Sequence, residues 1–195
     1  MDELLKPNQS ILLTIKRLGI NGEGIGYYKR KAVFVPGTIP PEEVIVRIKE
    51  VSPTYATGEA IKFNIRAAKR VKPFCKHFGV CGGCQIQHIA YGEQLQLKVE
   101  MLKQSIERYS GLDIANIAFT DMVGMNNPTH YRHKSQMPVK NMKYGLSTGL
   151  YQPNSNELVP IIDCPVHSEH INIVNQKVVE ICEQNEVFAF DPKTM

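Results

Sequence analysis

Tryptophan is absent from this chain, and acidic residues are absent from two long stretches of it, residues 60–92 and 122–156. No apolar run approaches the ~20 residues needed to cross a bilayer, and the opening Met1-Asp2-Glu3-Leu4-Leu5-Lys6-Pro7 lacks the charged-then-apolar order of a secretory signal. These absences argue against a membrane partner and place the protein in the cytoplasm. Hydrophobic residues are not scarce: they make up 43% of 195 residues, enough to bury a core in one large or two small domains. Five cysteines are present, three of them within ten residues, which suits metal ligation in a reducing compartment better than a disulfide framework.

Charge is unevenly spread. Residues 1–72 carry 13 Lys and Arg against 7 Asp and Glu, a net +6, whereas residues 73–195 carry 10 against 12, a net −2. A basic leading unit suggests a polyanion as partner. The acid-free windows sharpen this, because Lys62, Arg66, Lys69, Arg70, Lys72 and Lys76 fall in the first and Arg132, Lys134, Lys140 and Lys143 in the second. Such windows suit a phosphate track, and also the compensation of an anionic metal centre.

Alternation and turn signals predict short strands over Ser10 to Leu18, Tyr27 to Val35, Glu43 to Val51 and Tyr55 to Ile65, with a glycine-rich turn at Gly22-Glu23-Gly24-Ile25-Gly26. That number of strands in so short a span indicates a small antiparallel β-barrel of the oligonucleotide-binding shape. The glycines are no dinucleotide fingerprint, since a strand and not a helix follows them. Tyr27, Tyr28, Lys29, Arg30 and Lys31 beside the turn are candidates to stack on bases and meet phosphates. An amphipathic helix is predicted over Tyr91 to Ser110 through Leu95, Val99, Leu102, Ile106 and Tyr109, packing under the cysteine loop, with Gly111 ending it. Strands at Lys134 to Val139, Lys143 to Gln152 and Leu158 to Ile162 follow, and a second helix runs from Ser168 to about Asn185 through Ile171, Val174, Val178 and Ile181. The fold class expected is mixed β and α+β. The tail from Phe188 to Met195 shows no finishing element, as if a longer chain continued.

The cysteines carry the sharpest chemistry. Cys75-x5-Cys81-Gly82-Gly83-Cys84 places three thiols on one loop, and Cys164, in Asp163-Cys164-Pro165, is a remote fourth. Three clustered ligands with a distant one fit a four-thiolate iron–sulfur cluster. The glycines let peptide N–H groups approach sulfur. A four-cysteine zinc site is the rival, although only Cys81 and Cys84 form a zinc-type knuckle. His77 and His88 flank the loop as polar neighbours, and Cys182, on an apolar helix without a base partner, reads as a small buried hydrophobe and not a nucleophile.

In order along the chain, the barrel with Gly22-Glu23-Gly24-Ile25-Gly26 and Val35-Pro36-Gly37, the cysteine loop continuing into Gln85-x-Gln87-His88, Tyr131-Arg132-His133-Lys134-Ser135-Gln136, and Asp163-Cys164-Pro165 resemble the bacterial 23S rRNA uracil-5-methyltransferases. The resemblance implies that residues 1–65 are a TRAM domain gripping RNA. It implies that residues 66–195 are an α+β central domain holding a [4Fe–4S] cluster through Cys75, Cys81, Cys84 and Cys164. It further implies a catalytic domain that binds S-adenosylmethionine and supplies the thiolate that adds to uracil C6; that domain has no room here. Residues 1–195 are therefore expected to be inactive by themselves, monomeric, and to contact 23S rRNA through Arg132, Lys134, Gln136, Lys69, Arg70, Lys29 and Arg30. His133 departs from the usual Asn, and Pro40-Pro41-Glu42 from the commoner Pro-Gly-Glu, a change expected to touch only a loop. A stand-alone RNA-binding protein with a structural metal site and a small electron-transfer protein are the alternatives.

Overall fold

The computed structural model describes residues 5–190; residues 1–4 and 191–195, with the last part of the unfinished tail, lie outside the described residues. Two compact units emerge, and the division is not sequential. The first takes the residues up to Lys72 together with Gln85–Gly124, and the second takes Pro73–Cys84 together with the residues from Met125 onward. The cysteine loop thus leaves the first unit and returns to it, and its base is fastened within that unit by Arg70 pairing with Ile89.

The first unit is built on β1 (Ser10–Leu18), β2 (Gly24–Tyr28), β3 (Lys31–Val35), β4 (Glu43–Val51) and β5 (Tyr55–Ile65), closed into a barrel in the order β1-β2-β3-β5-β4. Every second residue points inward: Ile11, Leu13 and Ile15 of β1 and Val44, Val46 and Ile48 of β4 are buried. Closure leaves no long unpaired edge. One seam, β3 to β5, is parallel, which the expectation of an antiparallel barrel missed. Closing the ring brings β5 beside β3 by a long-range pairing that no local pattern encodes.

The glycine-rich segment is only partly a turn: Gly22, at φ 84°, and Glu23 lie in the reversal that joins β1 to β2. Gly24 and Gly26 lie inside β2, where a Cβ on Gly26 would stand 2.6 Å from Leu13 Cγ and 2.7 Å from the Thr14 carbonyl oxygen. They are there for close approach across the sheet. A second reversal, at Lys29-Arg30 between the paired Tyr28 and Lys31 with φ of 44° and 69°, splits the single strand expected over Tyr27 to Val35. Two left-handed residues are what a tight two-residue hairpin requires.

The Pro40-Pro41 turn delivers Glu42, the residue it shares with the commoner Pro-Gly-Glu, into the interior. Glu42 is fully buried, and its carboxylate accepts from Arg70 Nε at 2.6 Å and Nη2 at 2.8 Å, from the Ile39 N–H at 3.0 Å and from the Ala67 N–H at 3.3 Å. Arg70 also donates to the Gly37 carbonyl. Burial alone raises the Glu42 carboxyl, but the Arg70 hydrogen bond, the two N–H donors and the Arg70 charge outweigh it and hold its pKa below 4.5. Next to this pair, His88 is pushed down to about 4, first by burial and then by the Arg70 charge.

Both shifts carry the same sign. Between about pH 6.5 and 4 the unfolded chain binds a proton at His88 that the folded chain refuses, so stability present at neutral pH drains away as pH falls, by at most about 3 kcal/mol. Below the ordinary carboxylate value of 4.5 the depressed Glu42 adds a further loss. Denaturant midpoints taken at roughly pH 7, 5.5 and 4.5 should fall in that order. A flat profile would sink the assignment.

α1 (Tyr91–Tyr109) has nearly the predicted bounds but turns a different face inward. Leu97 is buried with Leu18, Ile39, Ala67 and Ile89, and Met101 packs on that cluster. Leu102 and Tyr109, expected on the buried stripe, are exposed. The helix therefore packs beneath the barrel's own end in the first unit, while the cysteine loop belongs to the second.

In the second unit, β6 (Val139–Met142), β7 (Gly145–Tyr151) and β8 (Leu158–Pro160) form a small antiparallel sheet, and α2 (Glu169–Gln184) lies against β7. Residues 134–138, expected in a strand, are outside it. Ser168 caps α2 by accepting from the Ile171 N–H. α2 turns a mixed face inward, with Asn172 buried and Ile171, Val179 and Cys182 half-buried, and polar anchors hold it: Asn175 donates to Thr148 Oγ1 at 2.8 Å, and the exposed Glu183 accepts from the Leu146 N–H at 2.9 Å. Val174, Val178 and Ile181, the expected core stripe, are exposed, because these polar anchors rotate the helix by about one position.

Candidate functional site

The cysteine loop folds by its own backbone. The Phe78 N–H bonds to the Cys75 carbonyl and the Cys81 N–H to that of His77, while Gly79 turns the chain at φ 85°. The next step docks the loop on β7: the Gly82 N–H donates to the Tyr151 carbonyl at 3.0 Å, and a Cβ at Gly82 would stand 2.9 Å from that oxygen. Glycine is required at that contact. The Gly83 N–H then donates to Cys81 Sγ at 3.3 Å, the amide-to-sulfur bond that the glycine pair was expected to allow.

Cys164 reaches the same unit from the far end of the sequence. It is buried with Val159, Ile161 and Val166, and Cys81, Cys84, Met137 and Leu150 pack against that group. Its backbone is held on both sides by one residue, for Asn172 Oδ1 accepts from the Cys164 N–H at 3.2 Å and Nδ2 donates to the Cys164 carbonyl at 3.0 Å and to Asp163 Oδ1 at 2.6 Å. Nothing in the local sequence announces this amide bracket; only an Asn one helical turn inside α2 hints at it.

Burial pushes the Cys81 thiol up, against the Gly83 N–H; the charges of Cys164 and Cys75 push it further, and the Arg132 cation opposes them. Cys81, Cys164, Cys75 and Arg132 therefore share one electrostatic neighbourhood. Among the described residues no group of three or more His, Cys, Asp or Glu side chains is arranged to hold a metal ion. Of the expected four-cysteine set, Cys81 and Cys84 pack with Cys164, and Cys75 lies close enough to Cys81 for its charge to bear on it. The donors themselves fit an anionic cluster. They are four cysteines outside any disulfide in one unit, with a peptide N–H on the Cys81 sulfur and a guanidinium opposing the charge there. His77 lies on the loop, and His88 belongs to the first unit beside the Glu42–Arg70 pair, away from any ligand role.

Arg132 is half-buried, with its N–H on the Val166 carbonyl and its carbonyl accepting from Ser168. Lys134 and Gln136 are exposed. The other polyanion candidates lie in the first unit. Lys29 and Arg30 form the exposed tip of the β2–β3 hairpin, with Lys29 Nζ 5.7 Å from the Tyr28 ring centre, and Lys69 is exposed. Arg70 is the exception: its fork is occupied by Glu42, which makes it a structural cation. A second exposed tip, Lys143 and Tyr144 between β6 and β7, carries the same pairing of cation and ring and was singled out only for its charge.

Residues 5–61 match the TRAM domain, which accounts for the barrel. The TRAM match spans under a third of the chain, and over nearly its whole length the chain is similar to proteins named RNA methyltransferases. It is 40% identical over 191 residues to an uncharacterized RNA methyltransferase of Enterococcus faecalis, covering 98% of this chain and 42% of that protein. It is 38% identical over 190 residues to one of Halalkalibacterium halodurans, covering 97% and 41%. The chain thus spans about two-fifths of the length of these relatives. The tRNA (uracil-54, C5)-methyltransferase of Pyrococcus abyssi, solved with S-adenosyl-L-homocysteine, shares the fold at a TM-score of 0.58 and 22% identity, over 90% of this chain and 37% of that one. Among the described residues no helix is long and apolar enough to cross a membrane.

Proposed function

We propose that this chain is the RNA-gripping and cluster-holding portion of an S-adenosylmethionine-dependent RNA uracil-C5 methyltransferase, acting on 23S rRNA. The observation that carries the reading is the convergence of Cys75, Cys81, Cys84 and Cys164 with the Arg132 charge in one unit, on a chain whose other unit is a TRAM barrel. Those four thiols would hold a [4Fe–4S] cluster, whose contribution is a rigid anionic cross-link between the loop and the segment before α2. The chain's own residues do the rest. Asn172 fixes the Cys164 backbone, Gly83 supplies an N–H to Cys81 Sγ, and Arg132 offsets the negative charge.

RNA is gripped from both units in this proposal. Lys134 and Gln136 present exposed polar heads next to Arg132, while Lys29, Arg30 and Lys69 serve the barrel; Arg70 keeps the barrel end folded and does not touch RNA. None of the five cysteines suits the C6 nucleophile, so residues 1–195 by themselves transfer no methyl group from S-adenosylmethionine to RNA. Binding of fluorescent 23S rRNA fragments and of tRNA to the anaerobically purified chain tests the reading. Affinity should fall steeply with salt, and Lys134→Ala or Lys69→Ala should each lower the slope of log K against log salt by about 0.7–1. A salt-independent affinity would remove RNA as partner, and equal affinity for tRNA would remove the preference for 23S rRNA.

A further inference from the structure

Within the first unit, a cleft of about 240 Å³ opens between β1–β3 and α1, lined by Arg17, Glu23, Phe34, Gln104, Arg108 and Tyr109 among others. It is smaller than the ~300–1,000 Å³ of a drug-sized site, which suits one nucleotide. Its polar groups are positioned. Arg17 Nε donates to Tyr27 Oη at 3.1 Å and Nη1 to Gln104 Oε1 at 3.4 Å, which holds the guanidinium at the rim. Arg108 and Tyr109 are exposed on the last turn of α1.

Glu23 is the group that the fold does not explain. A tight turn, with the Gly19 N–H on the Glu23 carbonyl at 2.7 Å, folds its carboxylate back over Gly19, where a Cβ would stand 2.6 Å from Oε1 and Cδ. Room for the carboxylate therefore depends on that glycine. Oε2 is buried with no hydrogen-bond partner, and none of the ion pairs among the described residues includes Glu23. An unmet buried carboxylate oxygen beside a cleft is an acceptor waiting for a donor.

We infer that this cleft takes a single unstacked guanine of the bound RNA strand, with Glu23 reading its Watson–Crick edge. The inference rests on the proposed RNA binding. Guanine presents two adjacent donors, N1–H and the N2 amine, that match the two carboxylate oxygens. Uracil offers one N–H between two carbonyls that a carboxylate repels, and adenine and cytosine set a ring acceptor beside their amine. Phe34 and Tyr109 supply ring faces for the base, and Arg17 and Arg108 meet the flanking phosphates.

Short single-stranded RNAs, identical except for one G, inosine or U in an otherwise pyrimidine strand, test this on the full chain. The G strand should bind about tenfold tighter than the U strand, with inosine, which lacks the N2 amine, between them. Glu23→Gln and Gly19→Ala should each abolish the difference between G and U, while far-UV dichroism confirms an intact barrel. Free GMP provides a second arm, raising the melting temperature of the parent chain but not of Glu23→Gln. A G preference retained in Glu23→Gln overturns the inference and leaves RNA binding standing. A GMP shift without any RNA affinity keeps the cleft and removes RNA binding, and no response in either arm removes both.

Discussion

Arg70→Met should destabilise the first unit by about 3–5 kcal/mol, because it strands a fully buried carboxylate without its cation. The Glu42 side chain has no exposure, whereas the Arg70 side chain keeps 16%, so the two halves of the pair are not equivalent. Glu42→Gln should cost less: the amide oxygen can still accept from the Ile39 or Ala67 N–H, and the guanidinium has a path to water. The pH dependence separates the two variants. In the parent, the depressed Glu42 pKa adds stability that is lost as pH falls. Arg70→Met leaves only the Ile39 and Ala67 N–H groups against burial, so the Glu42 pKa rises relative to the parent and the penalty of the substitution shrinks in acid as the carboxyl takes up a proton. Urea titrations of the two variants at neutral and mildly acidic pH decide this. Equal costs in both, or an Arg70→Met cost independent of pH, would mean that the pair does not hold the barrel end.

Anaerobically purified chain should contain about four iron and four sulfide per molecule, and Cys164→Ser should abolish both. In the proposed centre Cys164 would be the ligand remote in sequence, packed with Cys81 and Cys84, and without it the loop thiols would lose their tie to the segment before α2. Cys182→Ser provides the control, since Cys182 sits half-buried on α2 and has no place among the ligands proposed. Asn172→Ala should act at one remove: it frees the Cys164 N–H and carbonyl, and cluster retention during isolation should drop about 10- to 100-fold while all four thiols remain. Stoichiometric zinc in a colourless protein would replace the cluster with a zinc site on the same residues. Full iron content in Cys164→Ser would remove Cys164 from the ligand set.

Local patterns were legible wherever neighbours in sequence are neighbours in space. The alternation of Ile11, Leu13 and Ile15 placed β1, and that of Val44, Val46 and Ile48 placed β4, at their observed bounds. Spacing alone also placed α1 to within a residue and made Ser168 a cap. The glycine-rich turn was half legible because glycine serves both reversal and close approach: Gly22 turns the chain between β1 and β2, Gly26 is spent on contact with β1, and Lys29-Arg30 make a further turn against their usual preference, inside a span that reads as one strand.

The sequence by itself determined β1, β4, β5 and the two helices, since periodicity acts within a few residues. Only the tertiary structure decided the parallel β3–β5 seam, the return of Gln85–Gly124 to the barrel unit, the faces α1 and α2 bury, and the conversion of Arg70 from a surface cation into the partner of Glu42. Each of these depends on which distant group arrives beside a buried polar atom. A carboxylate removed from water must find its donors wherever in the chain they lie.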